Sequence, residues 1–158
     1  MKKFLAVILA LTMVLGLCAC GSSGGGEKEA KEKDTGLIKI GDAQAEYIGY
    51  EIAKNSDGKD AIVLSYNYTN NSDHAQMFSF AIFYTIYQGD TELEYCTVYP
   101  DDSETGALDN SLIIPVDPGK TQKVQITYTL KDLTTPVRIE FTDLLESNTA
   151  EQTIEIAQ

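Results

Sequence analysis

The sequence predicts an all-β domain, an antiparallel β-sandwich of about seven or eight short strands. Three observations carry this. From Leu37 onward, apolar residues recur at alternate positions in one short run after another. Turn-forming residues separate the runs: Asn55-Ser56-Asp57-Gly58, Asn70-Asn71-Ser72-Asp73, Gly89-Asp90 and Pro118-Gly119. No stretch of this region holds the apolar period of a long helix.

The chain does not open on that domain. Lys2 and Lys3 form a positive start, and Phe4 to Leu17 is a nearly uninterrupted apolar run of 14 residues. Spanning the hydrocarbon of a bilayer takes roughly 20 residues, so the run suits a secretory signal peptide better than a membrane-spanning anchor. Leu17-Cys18-Ala19-Cys20, followed by Gly21-Ser22-Ser23-Gly24, resembles a bacterial lipobox. That resemblance implies cleavage before Cys20, diacylglycerol on its sulfur (a diacylglyceryl and palmitate-type anchor), and a location on the outer face of the cytoplasmic membrane. An ordinary cleaved secretory signal is the alternative. Residues 20–36 then read as a Gly/Ser/Glu/Lys linker with no apolar face, of coil span roughly 20–24 Å. Residues 37–158 are the folded domain, long enough for one core.

Composition narrows the partners. The chain carries −12 at pH 7. Loss of Lys2 and Lys3 with residues 1–19 leaves 10 basic and 24 acidic side chains, a net of −14. Such a surface repels nucleic acid and anionic lipid headgroups, and excess acid keeps an exposed domain soluble. Of three cysteines, Cys18 would leave with the signal and Cys20 would be lipidated. Cys96 then has no partner, no disulfide framework is expected, and the thiol reads as a small buried apolar group.

In order, Leu37–Ile40 and Glu46–Ala53 predict one interrupted strand or two. Ala61–Thr69 places Ile62, Leu64, Tyr66 and Tyr68 on one face. Met77–Gln88 alternates Phe78, Phe80, Ile82, Tyr84 and Ile86, with Ala81, Phe83 and Tyr87 on the other face, and predicts a central strand covered on both sides. Gly89-Asp90 suits a type II′ hairpin turn. Thr91–Tyr99 returns with Leu93, Tyr95 and Tyr99 facing one way. An acidic loop, Pro100 to Asn110, precedes a short strand at Ser111–Val116. Val124, Ile126, Tyr128 and Leu130 alternate with Lys123, Gln125, Thr127 and Thr129. Val137, Ile139 and Phe141 repeat the pattern, Asp143–Asn148 suggests one helical turn, and Thr153–Ala157 closes the chain. Without a Trp or a cysteine pair, the sandwich is immunoglobulin-like in architecture only, with a small barrel as the alternative.

Three segments together resemble a known family. They are Gly58-Lys59-Asp60-Ala61-Ile62-Val63-Leu64-Ser65-Tyr66 running into Tyr68-Thr69-Asn70-Asn71-Ser72, then Tyr87-Gln88-Gly89-Asp90-Thr91-Glu92-Leu93-Glu94, and Pro118-Gly119-Lys120 before the strand ending Tyr128-Thr129-Leu130-Lys131-Asp132. They resemble the domain of unknown function numbered five-zero-six-seven, carried by small lipoproteins of Gram-positive bacteria, over most of residues 37 to 158. The resemblance implies an immunoglobulin-like sandwich at the cell surface and brings no catalytic residues. The Asn-Asn-Ser strand end also has a local reason, since these side chains bond back to nearby backbone and stop a strand.

Few residues suggest chemistry. His74 is the single histidine, so a paired-histidine zinc site cannot form. Gly119-Lys120-Thr121 lacks the earlier glycine of a phosphate loop, with Ile114 in its place. Asp101, Asp102, Glu104 and Asp109 are the candidate metal ligands, since calcium takes hard oxygens from such loops. Among nine tyrosines, Tyr66, Tyr68, Tyr84 and Tyr128 read as core, and Tyr95 and Tyr99 are the candidate partner contacts. The expected function is a lipid-anchored, non-enzymatic surface module, attached to the membrane through its lipid and without a further cofactor. It would bind an unidentified envelope protein or ligand and no nucleic acid. The alternative is a small-ligand or calcium-binding lipoprotein that uses residues 100–110.

Overall fold

The computed structural model describes residues 36–100 and 106–156. The signal peptide, lipobox and linker expected over 1–36 therefore lie outside the described residues, Gly36 excepted. Among the described residues, eight strands form two four-stranded sheets. The first contains β1 (Leu37–Ile40), β2 (Ala43–Lys54), β3 (Asp60–Asn70) and β6 (Thr121–Thr129), in the order β1-β2-β3-β6. The second contains β4 (Phe83–Gln88), β5 (Thr91–Glu92), β7 (Val137–Thr142) and β8 (Thr149–Ile154), in the order β5-β4-β7-β8. Every pairing is antiparallel. The orders β2-β3-β6 and β4-β7-β8 are those of an immunoglobulin-like sandwich.

The core lies between the sheets. Ile62, Leu64, Tyr66 and Tyr68 of β3 and Val124 and Ile126 of β6 face Ile86 of β4 and Val137, Ile139 and Phe141 of β7. Full burial of each aliphatic side chain contributes about 1.5–3 kcal/mol. The Tyr66 ring meets Tyr47 and Phe141, with centroids 5.5 and 6.0 Å away. The alternation expected of β3, β6 and β7 is therefore the inward pattern of the structure.

β3 is also covered on its outer face. Ala61 and Val63 pack against Cys96 and Val98, with Ala53 and Leu108 beside them. The two-sided burial expected of Met77–Gln88 belongs to β3 instead. In Met77–Gln88, the helical turn α1 (Phe78–Ala81) interrupts the alternation before β4 begins. Phe78 and Ile82, four residues apart, both reach the core, while Phe80 turns out to solvent. Phe83 is exposed as well, and Tyr87 carries the Arg138 guanidinium 4.4 Å above its ring.

Thr91–Tyr99 is not one strand. After β5, Leu93 still donates to Ile86 of β4, at 2.7 Å. Glu94 and Cys96 then bond Thr129 and Thr127 of β6, at 2.9 and 3.3 Å. The segment thus crosses from one sheet to the free edge of the other, and the crossing resets which side chains point inward. Leu93, Cys96 and Val98 are buried, and Tyr95 is exposed.

The strand expected at Ser111–Val116 is a 3-10 helix, Leu108–Ile113, followed by a single bridge from Val116 to Gln76. Asp143–Asn148 is a loop rather than a helical turn, and β8 starts four residues earlier than expected. Gly89 has φ +58°, and Asp90 is not among the positive-φ residues, which fits the type II′ turn. β1 and β2 are two strands joined at Gly41-Asp42.

Candidate functional site

The tyrosine and acidic candidates fall beside the sheet-crossing segment. Tyr95 is 56% exposed, and its ring stands edge-on to Tyr128 with centroids 6.3 Å apart. Its hydroxyl donates to Asp109 Oδ2 at the start of the 3-10 helix. Burial of the phenol pushes its pKa up, and the bond to Asp109 adds to that direction. Asp109 Oδ1 is buried and has no hydrogen-bond partner among the described residues. Tyr99 is half-exposed. Asp101, Asp102 and Glu104 lie outside the described residues, so Asp109 alone of the four metal candidates can be placed. Among the described residues, no three His, Cys, Asp or Glu side chains converge.

Cys96 is buried, and burial raises its thiol pKa, which suits packing and not nucleophilic work. His74 is exposed, with Nδ1 2.9 Å from Asp73 Oδ1.

The clefts are open ones. A polar groove of about 610 Å³ crosses the outer face of β4, β7 and β8, and includes Thr85, Glu140, Thr149 and Glu151. A cleft of about 410 Å³ lies between Tyr47, Tyr50 and the end of β8. A third, of about 400 Å³, lies at the end of the sandwich where β1 turns into β2 and β7 gives way to the loop before β8.

The third cleft is the most apolar in its exposed side chains. Phe80, Leu144 and Leu145 line it and are 67, 76 and 81% exposed. Both walls are held by side chains bonded to backbone. On one, the Asn70 amide donates to His74 O and Val116 O, each at 2.8 Å, and Asn70 Oδ1 accepts from Ser72 N at 3.0 Å. The Asn-Asn-Ser strand end thus stops β3, as its side-chain chemistry predicts, and shapes the cleft as well.

On the other wall, Asp143 Oδ1 accepts from the backbone amides of Leu145 and Ser147 at 3.1 and 2.8 Å, and Oδ2 from the side-chain Nδ2 of Asn148 at 2.5 Å. These bonds, Asn148 first, hold the Asp143 pKa below the usual carboxylate range. Glu146, at φ 54°, lets the loop turn back into β8.

Sequence reasoning missed Phe80, Leu144 and Leu145. Adjacent leucines in a loop are a usable signal, because two neighbouring side chains in extended backbone cannot both face one core.

Fold and site together define a class: a small immunoglobulin-like β-sandwich with open clefts and loop-borne apolar and acidic groups. Within it, the chain belongs to the family described as Domain of unknown function (DUF5067), whose model matches residues 20–143. The match begins at Cys20 and ends at the last residue before the leucine pair. Two solved structures are similar. One, from Staphylococcus aureus subsp. aureus NCTC 8325 and described as a candidate lipoprotein, is 16% identical with a TM-score of 0.54, over 76% of this chain and 92% of that one. The other, an NMR structure of a protein from Enterococcus faecalis, is 20% identical with a TM-score of 0.58, over 79% of this chain and 92% of that one. At these identities the likeness establishes the fold. No curated protein matches the chain.

Proposed function

We propose that this chain is a cell-surface lipoprotein, held by Cys20 on the outer face of the cytoplasmic membrane, whose sandwich is a non-enzymatic module binding another envelope component. The lipobox-like Leu17–Cys20 stretch and the likeness to a candidate lipoprotein support the anchor. The observation that carries the binding role is the clustering of Phe80, Leu144 and Leu145 in solvent around one cleft. Exposed apolar clusters of this kind mark interaction sites.

Two measurements test the reading. In cells fed a clickable palmitate analogue, the chain takes up label and fractionates with the membrane, and Cys20→Ala loses both. An unlabelled wild-type chain overturns the anchor. The immobilised full chain, exposed to solubilised envelope, retains a partner that is lost on substitution of surface side chains, either Tyr95→Ala with Tyr99→Ala or Leu144→Ser with Leu145→Ser. Failure to retain any component overturns the binding role.

A second reading has one observation in its favour. The buried Oδ1 of Asp109, without a partner among the described residues and close in the chain to an acidic segment, suits a cation such as calcium.

A further inference from the structure

We propose that the cleft bordered by Phe80, Leu144 and Leu145 binds a cationic amphipathic peptide segment, seating an apolar side chain between the three and setting Lys or Arg against the carboxylates of its walls. This rests on the binding-module reading and names the surface and the partner chemistry. The apolar part follows from exposure, since the three side chains stand largely in water along one cleft. The cationic part follows from charge. Asp42 and Asp143 line the cleft, no Lys or Arg among the described residues does, and Asp73 adjoins its His74 wall.

Asp143 is already bonded within its own loop, but its charge and that of Asp42 have no Lys or Arg against them among the cleft's described residues, so a neutral apolar partner would desolvate unbalanced charge and an acidic one would be repelled. A cationic flank balances it. A second copy of this chain would bring carboxylate against carboxylate, on a molecule already at −12. An anionic bilayer is repelled for the same reason.

The cleft is also made in advance. Asp143 fixes the leucine loop and Asn70 fixes the opposite wall, through the bonds given above. Little ordering remains to be done on binding, which favours affinity from a small contact. Leu144 and Leu145 are exposed and stand outside the buried core, so changing them should cost the fold little.

The test is a titration of the purified full chain, with leucine methyls isotopically labelled, using a short peptide of alternating Lys and Leu. The Leu144 and Leu145 methyl signals are expected to shift. Affinity should fall about tenfold in Leu144→Ser with Leu145→Ser, read by anisotropy of the labelled peptide, and about threefold in Asp42→Asn. The same peptide with Glu for Lys should not bind.

Equal binding of the acidic peptide, or no shift with either, overturns the inference. So do shifts that grow with protein concentration alone or that require anionic vesicles, which would assign the cleft to a second copy or to a membrane. Shifts confined to Leu108 and Leu112, near Tyr95, overturn this site while leaving the binding-module reading intact. That wider reading fails separately, when the envelope capture retains no component.

Discussion

The Tyr66 hydroxyl donates to Gln152 Oε1 at 2.8 Å, across the interior of the sandwich, joining a central strand of one sheet to the edge strand of the other. Both side chains are buried, so the bond exchanges no partner with water. Tyr66→Phe keeps the ring against Tyr47 and Phe141 and leaves Gln152 Oε1 without this donor. The expected loss is about 1–2 kcal/mol. Urea unfolding should show a lower midpoint at unchanged slope. Tyr66→Phe combined with Gln152→Leu should cost less than the two singles added. Full additivity would mean the two groups do not depend on each other.

The pH limits of the fold can be assigned by sign. Asp132 accepts from the amides of Thr134 and Thr135 at 2.8 and 2.6 Å and from both threonine hydroxyls at 2.9 Å. The Thr135 amide is the largest of the causes that hold its pKa far below the usual carboxylate range. A depressed carboxylate contributes stability above its unfolded pKa of about 3.9, and that contribution is lost as pH falls through the folded value. Asp132→Asn should therefore melt below wild type at pH 7, with the gap closing as both are acidified well below pH 4. A gap that stays constant with pH would remove Asp132 from the acid limb.

On the alkaline limb Tyr84 leads, with Tyr47, Tyr68, Tyr95, Tyr128 and Cys96 also pushed up by burial. Burial pushes its phenol well above the ordinary value, and the neighbouring Tyr128, Asp109 and Tyr95 push the same way. A raised phenol contributes stability that is fully present below the unfolded pKa of about 10 and is lost as pH rises above it. Tyr84→Phe should flatten the fall in melting temperature above pH 10. An unchanged alkaline fall would place the titrating group elsewhere.

How much of this was legible in the sequence depends on how many readings each stretch allowed. Val124, Ile126, Tyr128 and Leu130 lie in a run long enough that period two excludes a helix, and the shorter run of Val137, Ile139 and Phe141 is marked as strand by its β-branched residues after Pro136; both point inward as expected. Phe78, Phe80 and Ile82 satisfy period two, but Phe78 and Ile82 also satisfy a helical spacing, and the core takes both without Phe80. Thr91–Tyr99 alternates locally yet serves two sheets, and a crossing between sheets leaves no mark in the alternation. The bond from Tyr95 to Asp109 joins residues 14 positions apart, a separation that no local pattern announces. The Leu144–Leu145 cleft depends on Asp143 and Asn70, whose roles are set by backbone geometry.

Cys96 offers a readout of the outer layer on β3. The thiol is 8% exposed, beside Ala61, Val63 and Val98, and burial raises its pKa. In a chain carrying Cys18→Ala and Cys20→Ala, a thiol reagent should modify the native protein more than about tenfold more slowly than the urea-unfolded one. Equal rates would show that the sheet-crossing segment opens freely. Cys96→Ser, which adds a more strongly hydrated hydroxyl to this layer, should speed unfolding.

Asp109 decides whether the acidic loop holds a cation. One of its oxygens takes the Tyr95 hydroxyl, and the other is buried without a partner among the described residues. A carboxylate so placed gains from a positive charge, and Asp101, Asp102 and Glu104 are close in sequence to supply more of the six to eight oxygens calcium takes. Extracellular calcium modules bind with dissociation constants of about 0.1–1 mM. At the weak end of that range, 10 mM calcium would stabilise the fold by about 1.4 kcal/mol, a melting shift of a few degrees. Magnesium, which gives up its water reluctantly, should do much less. Asp109→Asn should abolish the calcium shift, and Tyr95→Phe should keep it, since Oδ1 is unchanged. No shift in the wild-type chain removes the cation reading, and a shift that survives Asp109→Asn places the cation away from this carboxylate.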